Sequence, residues 1–291
     1  MTLTLAATKE EILSKIHSTG DTPYASATTQ LDLVESLCQF DLGRYLLEHN
    51  DLNTYWMHYA LTHPWFGRKT GMNNHDEALH PLEEFILNRA PLFIALQQRF
   101  EIFLKLSQAH VKNTATLACM PSGTMGELLY LDYTHIDNVR LIGMHTDFNA
   151  IKCAQALADA MELARFTNLL QMDCYQADFK LEFDLVLNHD FHFQQRNPLN
   201  RPAMYANLYQ ALKPGGTLLT SFMQSEWDMT EVNETDVQLQ QTLLHDILGL
   251  EHFQTETSHE IQLQLETAGF TDIQFLYDSA KMIPSVIARK R

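Results

Sequence analysis

Four short apolar runs in this chain each end in residues able to hold a ligand. Thr114-Ala-Thr-Leu-Ala-Cys-Met120 leads into Pro121-Ser-Gly-Thr-Met-Gly126. Val139-Arg-Leu-Ile-Gly-Met144 leads into His145-Thr-Asp147, and Asn168-Leu-Leu-Gln-Met172 into Asp173-Cys174. Phe183-Asp-Leu-Val-Leu187 leads into Asn188-His-Asp190. Apolar helical patterns separate the runs, so the strands are expected to lie parallel. Parallel sheets bind ligands outside the carboxyl ends of their strands, where strand order reverses. Polar groups collected at four successive strand ends therefore predict a cofactor crevice in a nucleotide-binding α/β domain. The Pro121–Gly126 loop lacks the G-x-G-x-x-G spacing that a dinucleotide pyrophosphate prefers, which counts against NAD.

Residues 1–112 carry a different pattern. Leu31–Cys38, Leu52–Leu61, a Pro81-initiated segment and Leu92–Leu106 repeat apolar residues at helical spacing, which predicts a helical N-terminal domain. Residues 113–291 form the α/β domain, with a lid-like insertion at about 226–260. Tyr55, Trp56, His58 and Tyr59 place aromatic and imidazole groups on two helical turns. They are candidates to line a substrate pocket, although aromatics at helical spacing also serve as ordinary core. His58, His189 and His192 are candidate general bases, because imidazole titrates near neutrality. The spacing of His189, Asp190 and His192 matches no recognised zinc pattern, so no metal is expected.

The chain has 291 residues, a formal net charge of −16 and 45% hydrophobic residues, enough for a full core and one or two domains. A nucleic-acid binder would show a basic stripe, and Lys/Arg residues cluster only at Arg289–Arg291, so nucleic acid is not an expected partner. Cys38, Cys119, Cys153 and Cys174 lack paired spacing for zinc or a disulfide framework. No apolar run reaches the ~20 residues that span a bilayer, and the N-terminus lacks a basic region ahead of an apolar stretch. These features lead to the expectation of a cytoplasmic protein acting on a small molecule without a membrane partner.

The segment from about Asn113 to Arg291 resembles the class I S-adenosylmethionine-dependent methyltransferases. Asp184-Leu-Val-Leu187 resembles the family's fourth-strand motif. Leu208-Tyr-Gln-Ala-Leu-Lys-Pro-Gly-Gly-Thr-Leu-Leu219 resembles its helix, turn and fifth strand, and Ala268–Phe275 with Ser285–Arg289 its closing helix and antiparallel strands. The resemblance implies a Rossmann-like fold with an antiparallel final strand, S-adenosylmethionine as cofactor, and methyl transfer to an O, N or C nucleophile. It also implies that Pro121, Ser122, Gly123 and Gly126 wrap the methionine part of the cofactor. His145 or Asp147 would hold the ribose, Asp173 and Cys174 the adenine, and Asn188 and His189 the sulfonium side. The first loop departs from the family pattern. Ala118 or Cys119 stands where the family has an acid, and only two of the usual loop glycines remain. The same fold would also suit a cofactor-binding protein without turnover, or an enzyme using the cofactor for aminopropyl transfer.

Overall fold

The strand–helix alternation of the second half closes into one seven-stranded sheet. The structure is a computed structural model and describes residues 5–176, 178–189, 200–228, 230, 232–250 and 254–291. The N-terminal helices are α1 (Leu5–Thr19), α2 (Ala27–Leu37), α3 (Asp41–His49), α4 (Thr54–Thr62), α5 (Gly67–Thr70), α6 (Pro81–Asn88) and α7 (Pro91–Gln108). There follow β1 (Thr116–Cys119), α8 (Gly126–Leu129), β2 (Arg140–His145), α9 (Phe148–Ala160), β3 (Thr167–Gln171), β4 (Phe183–Asn188), α10 (Arg201–Ala211) and β5 (Leu212–Ser221). The remainder is β6 (Met223–Gln224), α11 (Glu234–Gln241), β7 (Thr255–Glu256), α12 (Ser258–Ala268), β8 (Thr271–Leu276) and β9 (Ser285–Arg289).

Of the described residues, one compact unit takes in 5–97 and 228–254 and another takes in 98–189, 200–227 and 255–291. The boundary falls inside α7, earlier than the boundary at 112 read from the sequence. The second half of α7 leaves the helical pattern of its neighbours because Phe103 packs in the core of the sheet unit. The insertion after β5 belongs with the helical unit. There α11 supplies Gln240, whose Oε1 accepts from the Leu92 N–H at the start of α7 at 2.7 Å, and Asp236, which pairs with Arg89. A helix start leaves its first N–H groups unpartnered, so this side-chain acceptor caps a buried end. Val34, Leu37, Leu42, Leu47 and Leu87, all fully buried, form the centre of this unit.

In the sheet unit the order is β3-β2-β1-β4-β5-β9-β8, parallel from β3 to β5, with β9 antiparallel to both β5 and β8. The reversal of order lies between β1 and β4. Successive side chains on a strand point to opposite faces, and Leu117 and Ala118 enter different cores accordingly. Leu117, Leu141 and Leu185 pack with Phe103, Leu128, Ala154 and Ala158 on one face. Ala118, Val186 and Leu218 pack with Tyr205, Leu208, Ile261 and Leu265 on the other. Burying each large side chain is worth about 1.5–3 kcal/mol. Sheet register is tied down at its amino end by Asp184, whose Oδ2 accepts from Thr116 N at 2.8 Å and from Lys213 Nζ at 2.6 Å. Burial pushes the Asp184 carboxyl up, but these two donors more than offset it and hold it below the usual carboxylate range.

Candidate functional site

The loop leaving β1 is fastened to strands on either side of it. Met120 N donates to Leu187 O at 2.8 Å, and Asn188 Nδ2 donates back to Met120 O at 2.7 Å. Ser122 N donates to Met144 O at 2.7 Å, and Met125 N to Ser122 O at 2.7 Å. The loop turns through the left-handed region twice, at Gly123 (φ 49°) and at Met125 (φ 60°). Glycine takes this conformation without steric cost, whereas methionine needs support. That support is burial: Met125 is wholly enclosed, and its sulfur fills the place where a Cβ on Gly143 of β2 would stand. Around Gly123, by contrast, nothing lies within 4 Å of a Cβ position, so the loop offers bare backbone there. Gly126 has another role, since a Cβ there would meet the Phe100 ring at 3.3 Å.

At the end of β2, Asp147 N donates to His145 Nδ1 at 2.9 Å, and Asp147 Oδ1 caps α9 by accepting from Asn149 N at 2.9 Å. Asp147 is exposed, and so is Phe148 beside it, at 52%. After β3, Asp173 Oδ1 accepts from Tyr175 N at 2.9 Å and Oδ2 from Gln176 Nε2 at 2.8 Å, so this carboxylate shapes its own turn. Cys174 is buried, and burial together with Asp173 pushes its thiol up to about 12. Asn188 is wholly buried. Besides Met120 O, its amide donates to Tyr175 Oη at 3.3 Å and accepts from Thr220 Oγ1 at 3.1 Å. It therefore welds the ends of β4 and β5, the first loop and the turn after β3.

His189 stands in a buried polar cluster that the sequence did not reveal. Arg99 of α7, 3% exposed, directs one guanidinium nitrogen to His189 Nδ1 at 2.6 Å and another to Glu127 Oε1 at 3.3 Å. Guanidinium only donates, so Nδ1 accepts and the imidazole proton sits on Nε2. That nitrogen lies 3.3 Å from Cys119 Sγ and 3.4 Å from Glu127 Oε1. Burial drives Glu127 toward the neutral form, but His189 and Arg99 overcome it and hold the carboxyl down to about 2. Burial raises the Cys119 thiol, as does Glu127, so Cys119 is an unionised apolar-site thiol. Donor atoms of Cys119, Glu127 and His189 lie within 4.8 Å of one another, a spacing compatible with a metal ion. With Nδ1 facing Arg99, His189 turns Nε2, and with it the imidazole proton, toward this same space. The cue available in the sequence was a single arginine inside the apolar Leu92–Leu106 helix.

Residues on α4 sit in the helical unit. Trp56 is 7% exposed, its ring 5.0 Å from Tyr55 and 5.5 Å from Tyr59, so it is core for α4. Tyr55 is exposed and His58 half-buried. Tyr59 donates from its hydroxyl to Glu83 Oε1 at 3.1 Å. His192 lies outside the described residues.

No protein-family model matches the sequence, and no curated protein sequence does. Among solved structures, a possible exported protein from Bordetella parapertussis is 32% identical, with a TM-score of 0.88 across 98% of this chain and 95% of that one. An O-methyltransferase-like protein from Nostoc punctiforme is 14% identical, with a TM-score of 0.51 across 87% of this chain and 74% of that one. A Burkholderia thailandensis 1,6-didemethyltoxoflavin-N1-methyltransferase, solved with bound S-adenosylhomocysteine, is 16% identical, with a TM-score of 0.46 over 66% of this chain and 78% of that one. The first of these overturns the cytoplasmic expectation, because the relative that matches nearly end to end is described as a possible exported protein. Among the described residues no helix is long and apolar enough to cross a membrane. The near-complete match to the Bordetella protein, together with a sheet ordered β3-β2-β1-β4-β5-β9-β8 around a pinned first loop, shows that this chain belongs to that protein's family and has the class I, Rossmann-like methyltransferase fold.

Proposed function

We propose that the sheet unit binds S-adenosylmethionine across the carboxyl ends of β1–β4 and transfers its methyl group to an O, N or C nucleophile of a small molecule. The observation that carries this reading is the open backbone at Gly123, held between β2 and β4 at the reversal of strand order. A crevice at that point is where open parallel sheets take their ligands.

The residues fit the cofactor unevenly. Gly123 leaves room for backbone to approach the methionine part. Asp147, exposed at the end of β2, offers acceptor oxygens that suit ribose hydroxyls. Phe148 beside it offers an apolar ring to an adenine face. Cys119 does not fit the family's acid, and the carboxylate near it, Glu127, is engaged by Arg99 and His189. When bound, the cofactor supplies an electrophilic methyl group on sulfur. The protein's part is alignment and exclusion of water, which need no proton transfer of their own. His189 is not poised as a general base, because its Nδ1 faces a guanidinium and its Nε2 carries the proton. His58 remains a candidate on the helical unit.

Calorimetry of the full chain with S-adenosylhomocysteine tests the reading. The expected result is saturable heat and a rise in melting temperature, since a ligand that favours the native state stabilises it. Absence of both at millimolar ligand refutes it.

A further inference from the structure

We propose that a polar cleft within the helical unit binds a small organic cation bearing N–H donors, a primary ammonium or a guanidinium. The cleft encloses about 480 Å³ between the start of α3, the loop before α6 and α6 itself. That volume lies in the range of small-molecule sites, roughly 300–1,000 Å³. The site lies wholly inside one unit and does not rest on the reading of the sheet unit.

The observation that points to a ligand is Glu83. It lines the cleft, is 1% exposed, and its Oε1 accepts from the Tyr59 hydroxyl at 3.1 Å. Its Oε2 is buried with no hydrogen-bond partner. A buried acceptor left unpartnered is costly, and a carboxylate more so than a neutral group. Burial, the largest cause, shifts the Glu83 carboxyl upward, although the Tyr59 hydroxyl and the His80 N–H beside it act the other way. A ligand N–H would satisfy the orphan oxygen and favour its ionised form.

The surrounding charges do not supply that donor. Asp41 is taken by Arg44, and its Oδ2 by His75 Nε2 at 2.5 Å. His80 accepts at Nδ1 from Leu82 N at 3.2 Å, as the cap of α6, so its proton is on Nε2. The three carboxylates lining the cleft, Asp41, Glu77 and Glu83, face one guanidinium. The balance is acidic and selects a cation. Phe40 stacked on His80, centroids 5.4 Å apart, gives the cleft a flat, partly apolar wall, which suits an organic ion. A bare divalent metal is less well served. The cluster with ligand atoms gathered within 4.8 Å among the described residues is Cys119, Glu127 and His189 in the other unit. The rim is folded in advance, with Asn73 N donating to Glu77 O at 2.7 Å and a bridge between Met72 and Ala78, and this loop carries His75 onto Asp41.

The test uses the full chain and calorimetry with four probes: 2-phenylethylammonium, its N,N,N-trimethyl analogue, guanidinium and magnesium ion alone. The primary ammonium is expected to bind, and the trimethyl analogue, which has no N–H, about ten-fold or more weaker. Glu83→Gln should weaken the primary ammonium by a similar factor, while Asp147→Ala in the sheet unit should leave it unchanged. The comparison of the two ammonium probes needs no variant, so it stands even if Glu83→Gln folds poorly. No binding of either N–H cation at millimolar concentration, equal binding of the trimethyl analogue, indifference to Glu83→Gln in a folded variant, or binding of magnesium ion alone would each overturn the proposal.

Discussion

Replacing Arg99 by Met should be among the most damaging single changes in the sheet unit. Arg99 is 3% exposed and serves both His189 and Glu127, whose side chains are 16% and 6% exposed. Removing one member of a buried ion pair leaves the other charge uncompensated, at a cost of about 3–5 kcal/mol. Unfolding entropy is roughly 2.1 cal/mol/K per residue near the midpoint. For a sheet unit of roughly 160 residues melting alone, a loss of about 4 kcal/mol lowers Tm by about 12 °C. If all 291 residues melt together, the fall is about 6–7 °C. The sign with pH separates this mechanism from simple loss of packing. In the native cluster Glu127 titrates below its unfolded value, so its contribution is complete above about 4.5 and is lost as pH falls toward 2. Without Arg99, the guanidinium's share of that lowering is lost, while the larger share from His189 remains. The variant's deficit should therefore be full above about 4.5 and shrink as pH falls toward 2, where Glu127 is neutral in both proteins. Adding Glu127→Gln to Arg99→Met removes the stranded charge and should recover at least half of the loss. Chemical denaturation of wild type, both single variants and the double variant, at two pH values, measures all of this. A loss below about 1 kcal/mol for Arg99→Met, or strict additivity in the double variant, would refute the argument.

His63 predicts a separate acid sensitivity of the helical unit. It is 1% exposed, and burial, aided by Arg68, lowers its imidazole to about 4. The unfolded chain therefore binds the extra proton between about 6.5 and 4, and stability should fall by at most about 3 kcal/mol as pH drops through that window. His63→Gln should flatten that part of the curve, and an unchanged slope would count against it. Asn188→Ala should cost about 3 kcal/mol, because it strands Met120 O and the Thr220 hydroxyl in the interior, readable as a shift in denaturation midpoint. Asp147→Ala should weaken S-adenosylhomocysteine about ten-fold or more if the carboxylate holds the ribose. It should also cost about 1 kcal/mol of stability from the lost α9 cap. Unchanged affinity would assign the ribose to other groups.

The sheet was legible in the sequence because its signals are local. Runs such as Phe183–Leu187 must be strands between helical patterns, and the Leu208–Leu219 segment carries the end of a helix and a strand, which starts at Leu212 without the expected turn. The ends of those strands were therefore found within a residue or two. What the side chains do there was less legible. Asn188 and Asp173 are polar residues at ligand-facing positions, yet both are committed to protein partners, and nothing in their spacing distinguishes a weld from a contact. The Arg99–Glu127–His189 cluster was hidden because its members lie far apart in the chain and meet only when α7 packs on the sheet. Trp56, one of the aromatic pocket candidates, is 7% exposed and packs between Tyr55 and Tyr59, which spacing alone could not distinguish from a pocket wall. The insertion after β5 read as a lid, whereas its helices complete the N-terminal bundle through Gln240 and Asp236, contacts that no periodicity encodes.

The fit of Met125 over Gly143 ties two positions on different elements into a single choice. Neither can drift alone. A side chain at 143 would strike the methionine sulfur and Leu169, and a smaller residue at 125 would leave both a hollow and an unsupported left-handed turn. Descendants of this chain should accordingly change the two together, exchanging a bulky 125 and bare 143 for a bare 125 and a filled 143. An ancestral path between these solutions would pass through a less stable intermediate, which would keep lineages apart once they had chosen. The first loop is then held from two elements at once, and Met125→Gly alone should loosen it by emptying the space over Gly143.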